Sequence, residues 1–482
     1  MLNLGAIIVK QAALRPEVKL QRHQEELRER ARNSTGQIAN WRVGAGKTPG
    51  AIAVAEDRGG DTLVIGPAAL RNNFNDSVKR FTTEDRHNRY HVMSYEQFSK
   101  NPEMALASIR PKTVILDELQ RARNPGKAQG ALMRTRHQMP FVLGLTGSLV
   151  NNHPKEIAPL VNIVSGKQIY RDENDFVRRH VKLVPQRRRT VGEFLTRKEA
   201  PKIESVTDPQ GVRKVIGPYV HRYMGDEKFN ANFPTVQEQE VRVPMQKQQW
   251  ALYQNVLKKN PNFARKIKNN LPPSKNDLAN MNAFSVAVRQ ISNTPANYDL
   301  SVKDPVAASP KMQKMIEEQH RLAKNDPHFR SVVYSSFLDA GVTPVTKKLN
   351  EQGLGSKTFR GGMTDKQRAA VVKDFNEGRT KVLGISPAGG EGLDLKGVRL
   401  LQMTEDHWNP ERGVQVQGRG ERFKSHAHLP PEKRNLLVQK YLATAPKRFW
   451  HPIIKPETTI DEWIVNRRKE KNRLNQEAVS AL

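Results

Sequence analysis

Short apolar runs alternate with stretches of helical period in two parts of this chain, and a differently patterned region separates them. In residues 1–165 the runs are Gln37–Trp41, Thr62–Gly66, His91–Met93, Thr113–Leu116 and Phe141–Leu145, and Met1–Lys10 also reads as a strand. Short buried strands joined through helices predict a parallel sheet covered on both faces. The same alternation returns over residues 306–482, with runs at Ser331–Tyr334, Lys357–Phe359, Lys381–Ile385 and Arg399–Met403 and a last helix over Ile460–Leu474. Between them, residues 166–305 are basic and punctuated by Pro and Asn, with Arg187-Arg188-Arg189 and the polar stretch Lys258–Asp277. No sheet pattern is visible there, so a mainly helical insertion and linker is expected. The predicted fold class is α/β: two parallel-sheet lobes in tandem with that insertion between them.

Composition narrows the partner. Lys and Arg number 80 against 49 Asp and Glu over 482 residues, a formal net charge of +31. Such an excess suits a polyanion, because each phosphate neutralised by a cationic side chain releases counterions. The absence of cysteine excludes disulfides, thiolate metal sites and a thiol nucleophile. No apolar run approaches the roughly 18 residues of a membrane span, and the N-terminus has no basic leader. An intracellular protein without a membrane partner is expected, cytoplasmic if its source is bacterial or phage.

The strongest local signal is Gly44-Ala45-Gly46-Lys47-Thr48, between the run Gln37–Trp41 and the helical stretch Ala51–Glu56. A strand, a glycine loop and a helix N-terminus make a phosphate cradle. Glycines let backbone N–H groups approach, Lys47 reaches the β- and γ-phosphates, and Thr48 offers a hydroxyl to Mg²⁺. The longer eight-residue pattern wants Gly at position 41, where this chain has Trp. Downstream, the apolar run Thr113–Leu116 ends in Asp117-Glu118-Leu119-Gln120. Paired acids at the end of a buried strand are costly unless they hold a cation or a water. Asp117 is expected on Mg²⁺ and Glu118 on the attacking water. Gln415, Arg419 and Arg422 are spaced i, i+4 and i+7, which on a helix is one face. Two arginines there could stabilise charge on a γ-phosphate.

The order of these and further segments resembles the Swi/Snf-type ATPases of helicase superfamily 2, and the likeness runs over most of the chain. Leu20–Gln24 resembles the family's adenine-reading segment, with Gln24 in the key place. Leu63–Leu70, Ser94-Tyr95-Glu96 and Leu145–Asn152 resemble the segments between and after the two phosphate-site motifs. In the second lobe, Tyr334–Phe337, Phe359–Thr364, Ser386–Leu395 and Trp408-Asn409-Pro410 follow the family order and spacing, and Thr459–Glu462 is similar to its closing helix. Three departures stand out: Phe74 replaces Trp, Asp394 replaces Asn, and Gln120 stands where His is usual. The last bears on how hydrolysis is coupled to movement.

The resemblance implies two RecA-like lobes that close over one ATP with Mg²⁺. Lys47, Asp117, Glu118, Gln415, Arg419 and Arg422 would be catalytic. Gln24, Gly44, Ala45, Gly46, Lys47, Thr48, Gly392 and Asp394 would bind nucleotide, with Thr48 and Asp117 on the metal. Nucleic acid would be touched at Pro67, Ser94, Tyr95, Ser336, Gly361, Gly362 and Ser386. The expected activity is ATP-driven translocation on DNA, with the duplex as the expected track and RNA open. Two alternatives stay open: a strand-separating helicase or viral transcription-associated NTPase, and a non-catalytic basic scaffold for nucleic acid. The compact, cysteine-free build suggests a phage, viral or bacterial source.

Overall fold

The five apolar runs of the N-terminal zone are strands of one sheet in the computed structural model, which describes residues 14–68, 71–185, 202–272, 285–387, 393–406, 410–446 and 457–482. The strands are Gly36–Trp41 (β1), Thr62–Gly66 (β2), Tyr90–Ser94 (β3), Thr113–Asp117 (β4) and Val142–Thr146 (β5). A sixth strand, Val220–Tyr223 (β8), joins them after a separate antiparallel hairpin of Val181–Pro185 (β6) and Lys202–Val206 (β7). The sheet order is β3-β2-β4-β5-β1-β8, and every pairing is parallel. All six residues of β1 are buried, as expected when helices cover both faces. Helix Arg22–Arg32 (α1) precedes β1 and helix Lys47–Arg58 (α2) follows it. The run of small and aliphatic residues Ala51–Ala55 lets α2 lie buried against the sheet.

The C-terminal zone builds a second six-stranded parallel sheet from Thr235–Pro244 (β9), Ser331–Tyr334 (β10), Ser356–Phe359 (β11), Val382–Ile385 (β12), Leu400–Met403 (β13) and Asn435–Thr444 (β14). Its order is β11-β12-β10-β13-β14-β9, and β9 runs beside β14 from Thr235↔Asn435 to Pro244↔Thr444. These are the two parallel-sheet lobes expected from the alternation.

The division between them differs from the sequence expectation. One unit is Met1–Asp226 with Lys471–Leu482, and the other is Glu227–Glu470. Residues 166–305 are therefore not a separate helical insertion. The part up to Asp226 supplies the hairpin and β8 to the first unit, and the rest supplies β9 to the second. Both strands sit at sheet edges, where one side is unpaired and the apolar pattern is diluted. In β9 the valines at 236, 241 and 243 are interspersed with Glu238, Glu240 and Arg242. Those charges are paired: Glu238 lies 2.5 Å from Lys440 of β14.

The last helix is also longer than expected, Ile460–Ser480 rather than ending at Leu474. Trp463 and Ile464 pack in the second unit with Tyr253, Leu257 and Phe263. Leu474 and Ala478 pack in the core of the first.

Candidate active site

The site is assembled at the C-terminal ends of β1 and β4, where ligands of open α/β sheets bind. After Trp41 the chain turns through Gly44 (φ 86°) and Gly46 (φ 71°) and enters α2 at Lys47. Both angles lie in the left-handed region, where a side chain is costly. Gly46 has a second reason to lack one: a Cβ there would lie 2.6 Å from Gln24 Nε2. Gln24 Nε2 donates to the Gly46 carbonyl at 3.0 Å, and its Oε1 accepts Gln21 N at 2.8 Å. The neighbouring His23 places Nε2 2.9 Å from the Ala45 carbonyl. Two adjacent side chains of α1 therefore hold two consecutive carbonyls of the loop. His23 carried no signal in the sequence beyond its place beside Gln24.

Lys47 Nζ donates to the Trp41 carbonyl at 3.1 Å. Burial pushes its ammonium below the ordinary value, while Glu118 and Asp117 pull the other way. The parallel order β4-β5-β1 puts the acid pair and the loop at the same end of the sheet. Asp117 ends β4, and burial together with the Glu118 carboxylate pushes it up to about 6. Two carboxylates crowded in a shielded place favour a cation between them and solvent. With the Thr48 hydroxyl at the second position of α2, the donors are the hard oxygens that Mg²⁺ takes. Among the described residues no cluster of three or more acids or histidines forms a closed metal cage.

Glu118 has φ 53° and ψ 54°, left-handed backbone for a residue with a full side chain. Such strain persists only where surroundings enforce it, and it clusters at functional sites. Gln120 supplies part of the enforcement: its Nε2 donates to Glu118 Oε2, and its Oε1 lies 2.7 Å from Thr146 Oγ1 at the end of β5. Where His is usual, this chain has an amide that bonds the acid on one side and the β5 end on the other. Gly147 follows Thr146 and lies close to the loop, since a Cβ there would be 3.8 Å from Lys47 Nζ.

The expected nucleic-acid segments of the first unit are placed less uniformly. Ser94 caps helix Tyr95–Lys100 (α3), accepting from Gln97 N at 3.1 Å. Tyr95 is buried, and its hydroxyl donates to the Asp117 carbonyl at 3.0 Å. Its ring is a core side chain that steadies the acid strand rather than a surface for nucleic acid. Pro67 is buried directly after β2.

In the second unit, helix Pro310–Asn325 (α4) precedes β10. Ser336 follows β10, Gly361 and Gly362 form an exposed turn after β11 with Gly362 at φ 83°, and Ser386 is buried at the end of β12. All four lie past the C-terminal ends of parallel strands. Arg419 is buried within helix Pro410–Gly420 (α5). Arg422 falls beyond the end of that helix, so it does not share a helical face with Arg419, and its Nη1 lies 3.4 Å from Asp394 Oδ1. Gly420 and the turn after it end the helix before a third residue of the stripe is reached. Gln415 lies in α5, but its side chain is outside the described residues, as are Gly392, Trp408-Asn409 and Arg187–Arg189.

Comparison with known proteins agrees with this geometry. Residues 61–297 match the SNF2-related domain, and residues 311–424 match the helicase conserved C-terminal domain. A putative ATP-dependent RNA helicase of Acanthamoeba polyphaga mimivirus is 25% identical over 475 residues, covering 96% of this chain and 97% of that protein. A termination factor NPH-I homologue of African swine fever virus is 29% identical over 171 residues, 34% of this chain and 24% of its own length. The Pyrococcus furiosus Hef helicase domain has a similar fold, with TM-score 0.51 at 15% identity over 89% of this chain and 97% of that one.

Proposed function

Because this chain belongs to the SNF2-related ATPases of helicase superfamily 2, a family of nucleic-acid motors, we propose that it spends ATP on translocation along duplex DNA without separating the strands. The observation that carries the reading is that Lys47, Asp117 and Glu118 lie at one end of the first sheet, with Lys47 directly after a loop whose glycines adopt the left-handed conformation. It supplies the parts for hydrolysis of a nucleoside triphosphate.

In this reading Lys47 leaves the Trp41 carbonyl for the β- and γ-phosphates. Glu118 accepts a hydrogen bond from the attacking water and turns its lone pair towards phosphorus, with Gln120 fixing the carboxylate's orientation. Thr48 and Asp117 would hold Mg²⁺, which supplies charge neutralisation of the phosphates. Arg419 and Arg422, with Gln415, would stabilise the transition-state charge from the second lobe. Gln24, Gly392 and Asp394 would complete the nucleotide site. Pro67, Ser94, Ser336, Gly361, Gly362 and Ser386 would line the nucleic-acid track, most contacts going to phosphates.

A second reading is favoured by the names of the relatives, one a putative RNA helicase and one a termination factor homologue. It makes the chain a transcription-associated NTPase, stimulated more by RNA than by duplex DNA. ATP turnover with single- and double-stranded DNA and RNA separates the two, run beside triplex displacement and forked-duplex unwinding. Duplex-stimulated turnover with triplex displacement and no unwinding is expected. Unwinding without triplex displacement would sink the translocase reading. Lys47→Ala should abolish stimulated turnover, a loss of more than ~100-fold for a phosphate-site lysine, while most DNA binding is retained in a gel-shift titration. A wild-type chain without stimulated turnover would instead favour the basic scaffold.

A further inference from the structure

His23 sits behind the phosphate loop in an aromatic block drawn from three separate segments. Its ring stacks on Tyr223 of β8, with centroids 3.7 Å apart and planes 6° from parallel. It meets Trp41 edge-on at 4.6 Å. Trp41 is fully buried, and its Nε1–H donates to His221 Nδ1 at 3.0 Å. The far nitrogen of His221 lies 3.4 Å from Glu26 on α1. A bond accepted at Nδ1 leaves the proton of His221 on Nε2, directed to that carboxylate. Trp41 also crowds α2 from below, since a Cβ on Gly50 would lie 2.9 Å from its ring. The block thus fixes the ring of His23 in position and angle.

A carbonyl can only accept, so the contact with Ala45 requires His23 to donate from Nε2. What this bond does follows from peptide geometry. In a planar trans peptide the carbonyl of one residue and the N–H of the next point in opposite directions. Holding the Ala45 carbonyl towards α1 turns the Gly46 N–H away from α1. Gln24, by holding the Gly46 carbonyl, does the same to the Lys47 N–H. Consecutive N–H groups turned to one side form the concave nest that takes an anion.

We propose that His23 is a positioning residue of the ATP site: its Nε2–H bond to the Ala45 carbonyl, braced by Tyr223 and Trp41, aims the Gly46 amide at the phosphates before nucleotide arrives. The inference rests on the ATP-site reading above. It assigns β8, the edge strand missed in the sequence, a part in nucleotide affinity through a residue it never touches covalently.

The test uses the full chain and a fluorescent ATP analogue in the absence of nucleic acid. His23→Gln and His23→Met have side chains of equal length, and only glutamine can donate. His23→Phe keeps the stack without the donor. Met and Phe should weaken binding by roughly 5- to 10-fold, the loss of one buried hydrogen bond. Gln should lie within about twofold of wild type, because a donor of similar reach is restored. If Met binds as tightly as Gln, the ring serves packing alone and the proposal is overturned. Should the Phe variant fail to fold, the Gln-to-Met ratio still decides. A wild-type chain that binds no analogue would remove the ATP-site reading itself, an outcome visible before any variant is compared.

Discussion

Gln120 shows how one side chain holds its neighbour in place. Glu118 is held in left-handed backbone, and its carboxylate would sample several rotamers without the amide bonded to it. We expect Gln120→Ala to lower nucleic-acid-stimulated turnover about 10- to 100-fold, in the range of losing an orienting partner of a catalytic base, while fluorescent-analogue affinity stays within about twofold. A variant with wild-type turnover would show that Glu118 orients itself. At this scale the sequence is legible where chemistry demands a backbone shape. Gly44, Gly46, Lys47 and the acid pair are read from spacing because a phosphate loop tolerates few alternatives. Tyr95 is not legible in that way. Its segment invites a surface role, and only packing shows its ring in the core with the hydroxyl spent on Asp117. Arg422 is similar, since the spacing of a helical face says nothing about where the helix stops.

Elements are held together by a few buried polar anchors, and these carry the largest single effects. Helix Pro310–Asn325 carries in its first turn Lys311, a lysine that is 2% exposed. Its ammonium donates to Asn293 Oδ1, the Thr404 carbonyl and Asp461 Oδ2 at 3.0, 3.1 and 2.7 Å. Asp461 in turn accepts Ala443 N at 2.9 Å, so the carboxylate that Lys311 neutralises ties the first turn of the last helix to the end of β14. Lys311→Met leaves Asp461 buried without its cation and should destabilise the second unit by about 3–5 kcal/mol. Lys348→Ala, which removes a half-exposed pair with Asp304, should change stability by less than ~0.5 kcal/mol. Urea titration of both variants checks the contrast, and equal midpoints would refute it. The sheets themselves were legible through the short apolar runs at β1–β5 and β10–β13. The edge strands β8 and β9 were not, because polar residues there satisfy solvent and neighbours rather than a core, and neither was β14, whose apolar run is interrupted by Gln439 and Lys440.

The turn after α5 adds a pH-dependent contribution. His426 is buried with Nδ1 2.9 Å from Ser425 Oγ and Nε2 2.9 Å from the Val398 carbonyl. Burial pushes it down to about 4, with nearby Arg399 and Arg330 acting in the same sense. A histidine whose folded value lies below its unfolded one favours the fold when neutral. Its contribution is complete above roughly pH 6.5 and is lost as pH falls towards about 4, amounting to at most roughly 3 kcal/mol. Other buried histidines act in the same direction, so the informative quantity is a difference. His426→Gln, which can still donate to Val398, should flatten the acid limb of a plot of melting temperature against pH. Parallel acid limbs for variant and wild type would assign the loss to other groups.

For the whole molecule the decisive property is charge. A formal +31 over 482 residues is far more than the catalytic site consumes. Lys47, Arg419 and Arg422 are committed to nucleotide in the proposed mechanism, so the excess is left for the polyanion. If the track is read through phosphates, affinity for duplex must fall steeply with salt and vary little with base sequence. Neutralising about 6–10 phosphates would cost ~10³- to 10⁵-fold in affinity between 50 and 200 mM salt. Fluorescence anisotropy on two duplexes of equal length and unrelated sequence measures both properties at once. Each should lose affinity with the same slope, and the two should differ by only a few-fold at any one salt concentration. A tenfold loss over that range would mean only about two phosphates neutralised, too few for a motor that grips a phosphate backbone. A large difference between the duplexes would point to base contacts beside the proposed phosphate track along the strand ends of β2, β3, β10, β11 and β12. The shallow slope and the sequence preference are separate failures. The first removes phosphate tracking, whereas the second leaves it in place and adds a reader of bases to the same surface.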